Sequence, residues 1–250
     1  MTRRRGATLV LVLWMLILTG GIAAGVTRAT RDATRSATAS AARTKGRYAA
    51  ESGVEAGAAV VQRALEQAEG DAARRTALLN RLPDVLATAL GDSLTLGDAR
   101  AQVTVVDLNA RLDLNAADTS ALVRLLSAYG PPPAARRTAQ ALKAFMAGDG
   151  RVARPLRSLD EAVTVPGVDA DLLSRAAVDL TVDSDGQINT RSASPLVLAA
   201  ATGGRVDAPT RLLFIARGWT SGHPLTHELQ AVYAIEGSRL TFVRWRERDR

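Results

Sequence analysis

Cysteine is absent from the 250 residues. That removes disulfide frameworks, thiolate nucleophiles and Cys-ligated zinc together, while an oxidising compartment remains permitted. Histidine is scarce: only His223 and His227 can supply an imidazole, so few general bases poised near neutral pH can be built. The two stand four apart, which suits a metal ion on a helix, but Pro224 between them opposes a helix and an exposed turn is expected. Acid is nearly missing from the N-terminal arm. Residues 1–50 hold nine basic side chains against Asp32 alone, 9 − 1 = +8, whereas the other 200 residues carry 23 − 24 = −1. The net charge of +7 therefore belongs to the arm, and the globular part offers no electrostatic footprint for nucleic acid.

Charge of either sign is missing from residues 7–27, ATLVLVLWMLILTGGIAAGVT. At about 1.5 Å per residue such a helix spans roughly 30 Å, the thickness of a bilayer core. The segment can cross a membrane. A secretory signal peptide has a similar pattern: a basic start, an apolar core such as 9–18, and small residues like Gly21 and Ala23 inviting cleavage. Arg28, Arg31 and Arg35 lie just beyond the span, so charge asymmetry alone does not set its topology. Proline is then missing from residues 28–69, where Ala, Arg and Glu dominate, and one long helix is predicted to run well past the membrane. Val54, Val61 and Leu65 fall near one face that can pack on a sheet. Arg47, Glu51 and Glu55 follow at intervals of four, and Gly53 and Gly57 mark close packing.

Beyond a helical stretch ending near Leu90, AQVTVVDLN at 101–109 is alternating and β-branched, which reads as a strand. LDLNAADTSAL from Leu112 and INTRSASPLVL from Ile188 then match at an offset of 188 − 112 = 76. The offset pairs Leu112 with Ile188, Asp113 with Asn189, Asn115 with Arg191, Ala117 with Ala193, Asp118 with Ser194 and Leu122 with Leu198. Asp118 and Ser194 are natural N-caps, so two similar strand-to-helix turns are enough to explain the match. Between the copies, Pro131, Pro132 and Pro133 break the chain, 136–146 is helical, 148–150 turns, and Ser158 with Glu161 forms a capping box. After them, 211–216, 227–235 and 239–245 read as strands, the last two joined by a turn at Glu236-Gly237-Ser238.

Three motifs invite a chemical interpretation. Gly91-Asp92-Ser93-Leu94 spells the nucleophile block of one esterase family, which also needs a late D-x-x-H. The residues three before His223 and His227 are Thr220 and Pro224, so the chain reads as a non-enzyme. Val165-Pro166-Gly167-Val168 resembles the tip of a helix-hairpin-helix module, which binds DNA phosphates through exposed amides. Asp169 replaces the second Gly of that tip, and with Asp171 it puts negative charge where a phosphate would sit; a structural hairpin and no nucleic-acid partner are expected. Residues 181–192 partly match a calcium loop, with Asp183, Asp185 and Gly186 at its third, fifth and sixth places. Asp183 and Asp185 are thus candidate calcium ligands. Thr181 and Ser192 stand where carboxylates belong, another acid such as Asp149 would have to approach, and an Asp-Gly turn explains the segment without metal. No other cofactor is expected.

The N-terminal arm resembles the class III, prepilin-type signal: Arg3, Arg4 and Arg5, then Gly6 at a cleavage point, Ala7 as the new N-terminus, and an unbroken apolar helix carrying Leu11 and Trp14. Most pilins and pseudopilins carry Glu at the fifth mature position, here Leu11. Lacking that acid, the chain resembles the K-class minor pseudopilins of type II secretion systems. These also carry two N-x-N-T-A-x-x-x-x-L segments around a helical insertion, matched here by the paired segments with departures at Asp113 and Arg191. The closing Trp245-Arg246-Glu247 is similar as well, whereas Lys143-Ala144-Phe145-Met146 stands where that class often has an acidic D-W-x-D. The likeness is strongest over 3–30, 107–122 and 158–198 and weakest over 70–100, in a chain shorter than is usual for the class.

The resemblance implies an α+β fold: a pilin-like long N-terminal helix on an antiparallel sheet, with an all-helical, helix-hairpin-helix or SAM-like insertion in the head. The implied divisions are a cleaved leader at 1–6, a transmembrane part at 7–27, the rest of the helix and first part of the head at 28–111, the insertion at 112–200, and the C-terminal sheet at 201–250. It further implies cleavage by prepilin peptidase, methylation of Ala7, an inner-membrane anchor with a periplasmic head, and assembly with I- and J-class minor pseudopilins at a pseudopilus tip that supports protein export across the outer membrane. Leu11 and Trp14 belong to the membrane and assembly helix. A membrane-anchored periplasmic DNA receptor and a minor pilin of a type IV pilus are the rivals.

Overall fold

The computed structural model describes residues 3–148, 153–223 and 226–249. Helix α1, Arg3–Gln67, runs unbroken for 65 residues, as a stretch rich in Ala and free of Pro allows. Its threonines do not interrupt it, because the hydroxyls of Thr27, Thr30, Thr34 and Thr38 each donate to the carbonyl four residues back. Burial begins only at Ala42 and then recurs at Gly46, Ala49, Ala50, Gly53, Val54, Gly57, Val61 and Leu65. Steps of three and four place these on one face. Two short helices follow, α2 (Ala72–Leu79), capped by Asp71, and α3 (Leu82–Leu90), with Pro83 in its first turn.

Strands β1 (Leu94–Leu96) and β2 (Ala99–Asp107) form a hairpin. The chain then leaves the sheet through β3 (Leu112–Asp113), α4 (Thr119–Ser127), α5 (Pro132–Ala147), α6 (Leu159–Val163), α7 (Ala170–Ala176), β4 (Leu180–Thr181), β5 (Ile188–Asn189), α8 (Pro195–Ala200) and β6 (Arg205–Val206). It returns in β7 (Arg211–Thr220), β8 (Thr226–Glu236) and β9 (Arg239–Asp249). The large sheet is antiparallel, in the order β1-β2-β7-β8-β9. A bulge opposite Val232 and Tyr233, which pair with Arg244 and Phe242, sets Val243 out of register. The α+β architecture with a pilin-like helix on an antiparallel sheet agrees with expectation.

Among the described residues two large, separate cores result, beside two small clusters around Ala101 and Leu213. The first joins α1, α2, α3 and the sheet through Val54, Val61, Leu65, Leu79, Leu82, Leu86, Phe214, Leu229 and Tyr233. The second draws all its buried members from between Leu112 and Ala200 and includes Leu122, Leu126, Leu142, Leu156, Leu172 and Val197. The excursion between β2 and β7 therefore buries its own apolar surface.

Two local expectations fail. His227 is not on an exposed turn; it is buried on β8, 3.7 Å from Glu247. Asn109 does not close a strand, but sits fully buried in a 3-10 turn, Leu108–Ala110. In both cases tertiary cover, which local pattern does not carry, decides the position.

Helix α1 lies very close to the sheet. A Cβ added at Gly53 would come within 3.0 Å of Val103, and one at Gly57 within 3.0 Å of Val103 and 3.2 Å of Phe214. The tightest point is Gly218 on β7, where an added Cβ would overlap the Gly46 carbonyl oxygen and stand 2.6 Å from the Ala50 amide nitrogen. Backbone atoms cannot swing aside as a flexible side chain can. Gly218→Ala is expected to cost about 1–3 kcal/mol by forcing helix and sheet apart, whereas Gly204→Ala, with nothing nearer than 3.7 Å, should fall within about 0.5 kcal/mol of wild type. Denaturant midpoints of the detergent-solubilised chain check both.

Candidate functional site

The apolar part of α1 is wholly open. Its most hydrophobic stretch has mean hydropathy 2.4 and none of it is buried; Leu11 is 67% and Trp14 61% exposed. A surface of that kind needs lipid or other helices around it. Gly6 and Ala7 lie within the same continuous helix.

The paired segments fold alike. Asp113 Oδ1 accepts from the Asn115 amide at 2.7 Å, and Asn189 Oδ1 from the Arg191 amide at 3.1 Å. Their carbonyls accept from Ala117 and Ala193 at 2.8 and 3.0 Å. Asp118 and Ser194 then cap α4 and α8, taking the amides of Ala121 and Val197. Each copy also adds a short parallel pair, β3 with β4 and β5 with β6. Asn and Asp interchange at the first position because the turn itself uses one side-chain oxygen; the remaining atom differs in its partners, Asp113 Oδ2 accepting from the Ser184 amide at 2.7 Å and Asn189 Nδ2 donating outward. The exchange of Asn115 for Arg191 has a different basis. Asn115 also bridges Leu156 and the Val182 carbonyl, whereas Arg191 is exposed and only its amide is needed. The copies meet where the Arg124 guanidinium on α4 donates to the Ala200 carbonyl at the end of α8, at 2.7 and 3.2 Å.

A buried polar junction ties this unit to the sheet. Asn109 Nδ2 donates to Asp185 Oδ1 at 2.8 Å and to the Gln187 carbonyl at 3.1 Å, while its Oδ1 accepts from Thr210 and from the Arg211 amide. Asn189 Nδ2 donates to Asp107 Oδ2 at 2.7 Å and to Asn80 Oδ1 at 3.1 Å. Residues from α2, β2, the insertion and the start of β7 thus share one network. Its Asn109 centre escaped sequence reasoning, since a lone Asn at the end of a strand pattern looks like a turn residue. Its only signal is that 109 + 76 = 185, the repeat offset.

Asp183 and Asp185 do not converge on a common point of binding. Asp183 is ion-paired with Arg244 and Arg246; Asp185 accepts from Asn109, the Gln187 amide and the Thr210 hydroxyl. A calcium ion would have to displace two cations and three donors, so this donor set does not fit it. Asp149 lies outside the described residues. Among those described, no three His, Asp or Glu side chains gather at one metal position. Gly91, Asp92 and Ser93 form a surface loop before β1, and β2 and β7 stand between β1 and His227 on β8.

The hairpin between α6 and α7 turns at Gly167, with φ +88°. Two of its amides are engaged: Val168 N donates to the Val165 carbonyl at 3.1 Å and Asp169 N to the Thr138 hydroxyl, while Asp169 itself caps α7. These bonds dock the hairpin on α5 and start the next helix.

One open groove, of about 720 Å³, runs along the α1 side of the sheet. Glu51, Val54 and Glu55 form one wall and Tyr233, Phe242 and Trp245 the floor and far edge. Neither Phe242 nor Trp245 stands out in the sequence, because strand alternation does not show which face is left bare.

No protein-family model matches the chain, and no curated protein matches it either. Among solved structures, a chain of the GspK-GspI-GspJ complex from the enterotoxigenic Escherichia coli type 2 secretion system superposes with a TM-score of 0.61 at 12% identity. The match covers 86% of this chain and 98% of that one. The fold is therefore pseudopilin-like.

The caps give the insertion an acid limit. The Ala121 amide, then the hydroxyls of Ser120 and Thr202, pull the Asp118 carboxyl down to about 2. A depressed carboxyl contributes stability above its unfolded value, and that contribution is lost as pH falls toward about 2. Asp113 acts oppositely, because burial raises its pKa and acid relieves the cost. Asp118→Asn keeps an acceptor but does not titrate, so its melting temperature should fall less than that of wild type between the ordinary carboxylate range and pH 2. A parallel acid limb in the two proteins would contradict this assignment.

Proposed function

We propose that the chain is a non-enzymatic minor pseudopilin of the K class, placed at the tip of a type II secretion pseudopilus and supporting export across the outer membrane. The observation that carries this is the combination in one chain of an exposed apolar helix, a sheet packed on its second half, and an excursion between β2 and β7 with its own core. The fold match to a chain of a three-pseudopilin complex supports the same assignment. Anchored in the inner membrane by α1, the head would stand in the periplasm beside I- and J-class partners.

Two features favour a terminal place. Leu11 offers no carboxylate to pair with a neighbour's terminal amine inside the membrane, where an unpaired charge is costly. The excursion also widens the head beyond what repeated stacking around a thin fibre accommodates. Asp183 and Asp185 serve the head through Arg244, Arg246 and Asn109 rather than through an ion.

Prepilin peptidase would cut between Gly6 and Ala7. Mass spectrometry of the membrane-extracted chain should find methylated Ala7 at the N-terminus; a start near Ala24 would instead identify a secretory signal and sink the proposal. In complexes with I- and J-class partners, native mass spectrometry should count one copy per assembly, and Leu11→Glu should leave the head's melting temperature unchanged. Repetition along a fibre would point to an ordinary pilin subunit. Tight duplex binding with a steep salt slope would favour the DNA receptor.

A further inference from the structure

The sheet is only partly roofed. Helix α1 crosses β2, β7 and β8, and α3 packs on the β2 side, but the helix-facing side of β9 carries Phe242 at 53% and Trp245 at 52% exposure. The rings form a continuous edge-to-face series from the core outward. Phe214 to Tyr233 is 5.3 Å, Tyr233 to Phe242 5.7 Å, and Phe242 to Trp245 6.5 Å between centroids. Only β9 lies bare, one strand or about 5 Å wide, and as the edge strand its outer side is open. An α-helix about 10 Å across can rest one ridge on it and overhang the edge of the sheet.

Its charge is one-sided. The charged residues lining the groove are Glu51, Glu55 and Arg244, 1 − 2 = −1, and beside it Arg47 bonds Glu51 and Glu247 at 3.0 Å each. Arg244, at the groove's edge, is engaged by Asp183. Glu55 has no ion-pair partner among the described residues, and its charge, after burial, raises the Tyr233 phenol's pKa. A carboxylate beside exposed aromatic faces suits a cationic side chain, which gains from both.

We propose that this strip between α1 and β9 seats a helix from a neighbouring pilin-like subunit, its apolar ridge on Phe242 and Trp245 and a flanking Lys or Arg on Glu55. The proposal rests on the pseudopilin assignment and names the surface that assignment leaves open. The seat lies beside the sheet-packed half of α1, so a subunit anchored in the same membrane can reach it with its own helix.

The test uses the full-length chain co-expressed with the I- and J-class pseudopilins of the same organism. A photo-crosslinking phenylalanine replaces Phe242 or Trp245, and Val178 or Leu196 on the insertion serves as control. Crosslinks from the groove positions should land in a partner's helix within a turn of a Lys or Arg. Glu55→Lys should weaken co-purification about tenfold, with its melting temperature unchanged because the residue is exposed. If the complex forms and the groove positions crosslink no more than the controls, or reach an extended strand or a second copy of this chain, the proposal is overturned and the pseudopilin assignment stands. If neither partner assembles with the wild-type chain, both fall.

Discussion

The structure depends on how closely one helix approaches one sheet. Gly46, Ala50, Gly53 and Gly57 succeed one another at steps of four, three and four along α1; Gly218 on β7 meets the first two, and Val103, Ala216 and Phe214 meet the others. Small residues on both surfaces let backbone approach backbone, so dispersion contacts accumulate over the whole length of the crossing. A 65-residue helix with its first half bare cannot be steadied from that half. The second half, pressed into the sheet, makes the exposed half a stiff extension of the head.

A second rigid joint lies where β2 ends and β7 begins, at the other end of these strands from Gly218. Asn109, Asn189, Asp107 and Asp185 link the excursion to β2, α2 and β7, and each buried amide there has its partners. Fully satisfied polar networks of this kind fix one geometry, since any shift leaves a group unpaired in a low-dielectric setting. Together with Arg244 and Arg246 on Asp183, this joint ties the separately packed core to the sheet. The two segments related by the offset of 76 bracket that core and close it, as their caps and the Arg124 contact show. Their likeness is architectural, and their departures at Asp113 and Arg191 follow from which atoms each turn uses.

Charge is divided along the same lines. Basic residues concentrate on either side of the apolar stretch of α1, whereas the groove beside α1 is acidic and aromatic. At the Gly167 hairpin the Val168 and Asp169 amides are turned into packing.

The sequence by itself determined the elements whose cause is local or periodic. The uncharged run at 7–27 and the absence of Pro to 69 gave away α1, the face at Val54, Val61 and Leu65 told which side is buried, and caps at Asp118, Ser158 and Ser194 marked helix starts. The offset of 76 was visible because equal turns need equal residues at equal spacing. Tertiary structure alone decided what each polar residue would meet. Asp183 became an arginine partner, His227 went under cover on β8, and Asn109 became the centre of a joint, because their neighbours lie tens of residues away along the chain. It alone also decided that Phe242 and Trp245 would be left bare: strand alternation assigns them a face, but only the width of α1 against the width of the sheet determines how much of that face is covered.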